Sequence, residues 1–75
     1  MSKLPQLKPH EIVRVLERAG FYVVRQKGSH IRMVHHRDES RYATIPMHGG
    51  DMPRKVLASI LRQTKLSTDD FLRLL

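Results

Sequence analysis

The apolar positions of the chain first recur at helical spacing, in "KPHEIVRVLERAG". Ile12, Val13, Leu16 and Ala19 share one face, while Glu11, Arg14, Glu17 and Arg18 lie away from it. Pro9 suits a first helical position, where its missing N–H would have no partner. Gly20 suits the position past the end, where left-handed backbone closes a helix. The spacing then falls to two. "FYVVRQ" is β-branched and aromatic, which predicts a strand with Phe21, Val23 and Arg25 on one side and Tyr22, Val24 and Gln26 on the other. Lys27-Gly28-Ser29 supplies a turn. "HIRMVHH" then alternates, setting Ile31, Met33 and His35 against His30, Arg32, Val34 and His36. After a polar turn at "RDES", the stretch "RYATIP" predicts a third strand, with Ala43 and Ile45 facing away from Tyr42 and Thr44 and Pro46 ending it.

"MHGGD" reads as a flexible connection. Asp51 is the expected cap of a second helix, with Pro53 in its first turn, Val56, Leu57, Ile60 and Leu61 as its buried stripe, and Lys65 after its end. Ser67 followed three residues later by Asp70 is a capping-box pattern, opening a short terminal helix whose Phe71, Leu72 and Leu75 should pack back on the domain. The predicted fold class is therefore α+β, in α-β-β-β-α order. A three-stranded antiparallel meander carries its helices on one face, with a short extra helix at the C-terminus. This is the element order of double-stranded-RNA-binding domains, an architectural likeness that says little about activity. Seventy-five residues leave room for one core, so residues 1–75 are expected to form a single domain.

Charge sharpens the picture. The net charge is +7, and it is uneven: eight Lys and Arg against two Glu from Met1 to Arg37, then six against five acidic residues to the end. The first half is suited to a polyanion, whether RNA, DNA, an anionic membrane surface or an acidic protein. With no Cys, disulfides, thiolate zinc sites and Cys nucleophiles are excluded. The apolar runs are too short to cross a membrane, and no charged segment precedes an apolar one at the N-terminus, so a cytoplasmic protein, monomeric when free, is expected.

Five His invite a metal site, yet none are paired at i, i+4, His35 and His36 should point to opposite sides of a strand, and no paired carboxylate completes a set. No metal or other cofactor is expected. Ser29 adjoins His30 on a strand, where neighbouring side chains diverge, so a Ser-His-Asp arrangement is unsupported. His30 is the better candidate. RNA carries its own nucleophile, the 2′-hydroxyl, so cleaving it takes little more than a base, an acid and cations for the developing phosphorane charge. His30 lies among Arg25, Lys27 and Arg32, which supply those cations. The pattern alone favours the plainer reading, a His30 that only faces water on a basic strand, since most surface His take no part in chemistry. Gly28 provides a permissive backbone for the turn and for close approach of a phosphate. Ser29 can donate to a phosphate oxygen or only satisfy the turn. His48, after a strand-ending Pro and before Gly49-Gly50, is a possible second acid or base, or the source of a loop-ordering hydrogen bond.

Three stretches carry a resemblance that runs nearly end to end: "LERAGFYVVRQKGSHIRM", "IPMHGGDM" and "LASILRQTKLSTDDFL". In this order and spacing the chain resembles the HicA family of toxins from type II toxin-antitoxin systems. The resemblance implies a fold of the double-stranded-RNA-binding type and a ribosome-independent, metal-independent mRNA endoribonuclease that arrests translation. It implies that His30 of the Gly-Ser-His triplet is catalytic, and that a HicB-like antitoxin covers this surface. Two departures concern the scaffold: Lys65 stands where the family usually has Gly, and "MPRKV" replaces a Lys-Gly-Thr-like helix start. Lys65 should close the second helix less easily than Gly, by about 1 kcal/mol. A non-catalytic double-stranded-RNA-binding module of the same fold is the alternative reading.

Overall fold

The computed structural model describes residues 4–75. Its elements run α1 (Pro9–Arg18), β1 (Phe21–Lys27), β2 (His30–His35), β3 (Asp38–Pro46), α2 (Arg54–Thr64) and α3 (Thr68–Arg73). The strands form one antiparallel sheet in the order β1-β2-β3, with the helices on one face, so the α+β class and the double-stranded-RNA-binding type of architecture are as expected.

α1 begins at Pro9, where the Glu11 carboxylate accepts the Lys8 N–H at 2.8 Å, and it ends at Ala19, after which Gly20 takes φ +97°. Its buried stripe is Pro9, Ile12, Val15 and Leu16. Val15 is wholly enclosed, so the apolar face is wider than the sequence suggested. The sheet answers with Phe21, Met33, Ala43 and Ile45, and α2 adds Leu57, Ile60 and Leu61. Phe71 of α3 closes the cluster, joined by Leu7 and Met52 from the connecting segments. Each fully buried aliphatic or aromatic side chain contributes about 1.5–3 kcal/mol, and this single cluster holds the sheet's inner face to the helices.

α3 starts as expected, with the Ser67 hydroxyl accepting the Asp70 N–H at 3.0 Å. Leu74, not Leu75, packs against the core, and Leu75 stays half exposed. α2 departs further. Asp51 lies outside the helix and pairs with Lys8 at 3.7 Å, and Pro53, in extended backbone, occupies the cap position instead. No side-chain hydrogen bond caps this end, because Pro53, whose ring fixes the backbone next to the helix and carries no capping oxygen, holds the cap position predicted for Asp51. At the other end Lys65 adopts φ 61°, ψ 25°, and the next N–H, of Leu66, reaches back to the Leu61 carbonyl at 3.2 Å.

Two strand details also depart from strict alternation. β3 begins at Asp38, so the turn is His36-Arg37, and the Asp38 carboxylate instead holds Ser40 through its N–H and hydroxyl. In β1 the pairing slips by one: Val23 pairs with Met33 but Arg25 with Arg32, leaving Val24 as an extra residue in a β-bulge.

Candidate functional site

The outer face of the sheet, opposite the helices, is read directly from the register. Across the strands, Tyr22, Val34 and Tyr42 form one row, Arg25, Arg32 and Thr44 the next, and Lys27, His30 and Pro46 a third. The rows run from aromatic through cationic to the histidine, and none of the nine is an Asp or Glu. The bulge at Val24 produces this arrangement. Strict alternation would put Arg25 with Phe21 and Val23 on the helix side, but the extra residue turns Arg25 and Lys27 outward, beside Arg32 and His30.

β1 and β2 are joined by two residues, Gly28 and Ser29, and Lys27 belongs to the strand rather than to the turn. Gly28 has φ +58° and Ser29 does not, the pattern of a II′ hairpin with glycine at its first central position. A Cβ at Gly28 would meet nothing within 4 Å, so the backbone conformation, not crowding, calls for glycine. The Ser29 carbonyl accepts the Met47 N–H. The chain leaving β3 is thereby fastened to the hairpin, and His48 stands one residue beyond that bond.

His30, Arg25, Lys27 and Ser29 are all exposed, and their side chains engage no other group among the described residues. His48 is the same, so its side chain does not order the loop through a hydrogen bond within the described residues. Arg32 is held: its guanidinium lies over the Tyr42 ring, 4.6 Å from the centroid, a cation–π contact worth about 0.5–1 kcal/mol at an exposed site. Of the sequence-derived candidates, Arg25, Lys27, His30 and Arg32 therefore share one face, while Gly28, Ser29 and His48 sit at its rim. Tyr22 and Tyr42 are additions to the set. Their alternation in the sequence placed them on strand faces, but only the pairing of all three strands puts them in one row.

The expected divergence of His35 and His36 does not hold. Their rings stack with centroids 4.7 Å apart, because β2 ends at His35 and His36 has already entered the turn. The His35 ring meets the edge of Phe21 at 5.1 Å and its Nδ1 accepts the Arg37 N–H at 3.1 Å. His36 Nδ1 donates to the Gly20 carbonyl at 2.8 Å. Desolvation holds His35 below its usual range, helped by Arg41 and His36, while the Ala19 carbonyl and the Asp38 carboxylate pull the other way. These two imidazoles brace the corner between α1 and β1, away from the outer face. Among the described residues, no three His, Asp or Glu side chains are grouped as metal ligands would be, and no helix is long and apolar enough to cross a membrane.

A comparison with protein families matches residues 9–66 to the HicA toxin of bacterial toxin-antitoxin systems. The chain belongs to the HicA toxin family. The HicA match takes in the whole sheet, the hairpin turn and the His48 loop, and it implies a cognate antitoxin as a partner of this toxin. No curated protein matches the chain.

Proposed function

We propose that this chain is the endoribonuclease of a toxin-antitoxin pair, cleaving mRNA independently of ribosomes and of metal ions and so arresting translation. The observation that carries this reading is the unengaged His30, in a row with Lys27 and next to the Arg25-Arg32 row, with no carboxylate in the three rows. His30 takes the proton of the 2′-hydroxyl as that oxygen attacks the adjacent phosphorus. Arg25, Lys27 and Arg32 bind the backbone and stabilise the charge that builds on the phosphorane oxygens, as preorganised cations do best. The 5′-oxygen leaves with a proton, from the imidazolium or from a second acid for which His48, one residue beyond the Met47–Ser29 bond, is the candidate. The products are a 2′,3′-cyclic phosphate and a 5′-hydroxyl. Acid-base catalysis of this kind contributes about 10²- to 10⁴-fold. Gly28 and Ser29 leave the hairpin tip low enough for a phosphate to approach. A HicB-like antitoxin that covers this face, bringing the carboxylates it lacks, would block substrate and His30 together.

The test compares wild type with His30→Ala on RNA in EDTA. Cleavage should fall by at least 10²-fold and toxicity should vanish while RNA binding persists. Equal cleavage by both proteins would remove His30 from the chemistry. Binding without cleavage by either would leave an RNA-binding module.

A further inference from the structure

Resting on the reading of the outer face as an RNA surface, we infer that Tyr22 is a base-stacking subsite that selects unpaired RNA, two rows away from the cleavage row. Tyr22 is 50% exposed, the most exposed large hydrophobic among the described residues, and its ring has no partner there. Tyr42, at the other end of the same row, already carries the Arg32 guanidinium on its ring. The two tyrosines of the chain are thus used differently: Tyr42 positions a cation, and Tyr22 leaves a ring open to a ligand.

The geometry fits an RNA chain running parallel to β2, across the three rows. From His30 to Val34, the row of Tyr22, the strand rises about 13 Å at 3.3 Å per residue. The Arg25-Arg32 row lies midway. That span matches roughly two nucleotides of an extended single strand, with phosphates over the arginines and a base over Tyr22. A paired base is already stacked between its neighbours and cannot lie on a protein ring, so this subsite discriminates against duplex. The stacking is tolerant of base identity because every base has a π-face.

Binding is measured in the His30→Ala background, so that substrate survives, with an unstructured RNA oligonucleotide and a fully paired hairpin as probes. Adding Tyr22→Ala should weaken single-strand binding about 5- to 100-fold, Tyr22→Phe should restore it, and hairpin binding should not change. With His30 present, Tyr22→Ala should raise KM and leave kcat nearly unaltered. Unchanged single-strand affinity in a Tyr22→Ala protein that melts normally overturns the subsite. Weaker antitoxin binding with unchanged RNA binding overturns it too, and assigns the ring to the protein partner. Failure of the His30→Ala parent to bind either RNA overturns the underlying RNA reading itself, whatever Tyr22 does.

Discussion

Lys65 holds φ 61°, a conformation that costs a side chain roughly 1 kcal/mol and glycine almost nothing. Replacing it forfeits an exposed contact from its Nζ to the Ser40 hydroxyl at 3.0 Å, which is worth little. Lys65→Gly should therefore stabilise the protein by about 1 kcal/mol, which at this size is a rise of about 4–8 °C in Tm by calorimetry. An unchanged or lower Tm would mean that the lysine contact outweighs the backbone cost. Gly20 is the opposite case. It combines φ +97° with no space, since an added Cβ would sit 2.9 Å from His36 Nδ1 and 3.0 Å from His35 Nε2. The two histidines thus crowd out a larger residue at the helix end, which gives both side chains a structural use.

At the scale of the elements, the bulge in β1 decides which charges reach the outer face, and two deletions of equal length separate its effects. Removing Val24 leaves Val23 opposite Met33 and Arg25 opposite Arg32, an unbroken ladder with Arg25 still outward. Removing Gln26 also restores regular pairing, but it sets Val24 opposite Arg32 and turns Arg25 toward the helices. RNA affinity should survive the first deletion and fall several-fold in the second, with a smaller salt dependence from the lost phosphate contact. Equal affinities in the two folded variants would show that Arg25 contributes nothing. The sequence disclosed the elements because Pro9, Gly20, the period-two stretches and Ser67 each act locally. The slip at Val24 was not legible, since "VVRQK" alternates acceptably in either register and only the partner strand chooses. Asp51 misled for a related reason: its side chain suits a cap, but Pro53 determines where the helix starts. The Gly28-Ser29 turn that presents His30 was readable from the triplet, whereas the row of tyrosines needed three strands aligned at once.

For the molecule as a whole, acid acts through His35 before it acts on carboxylates. Its folded-state pKa is depressed, so between that value and the unfolded value of about 6.5 the unfolded chain binds more protons. Stability is therefore complete above pH 6.5 and declines as the pH falls through the window beneath it. Protonation would also take Nδ1 from the Arg37 N–H. Urea denaturation from pH 7.5 to 5 should show this decline, and His35→Gln should flatten it; an identical slope in the variant would place the effect elsewhere. Asp38, lowered by its hydrogen bonds from Ser40, loses its contribution only under more acidic conditions, near and below pH 4. The free edge of the sheet has its own consequence. Tyr22, Val23 and Val24 lie exposed in succession on an outermost strand, the kind of segment along which copies of a protein assemble into aggregates. Arg25 and Lys27 directly follow them and act as gatekeepers, repelling a second edge of the same charge. Any polyanion that neutralises those two side chains also lifts that repulsion, so the solubility of the toxin is tied to whatever occupies its basic face.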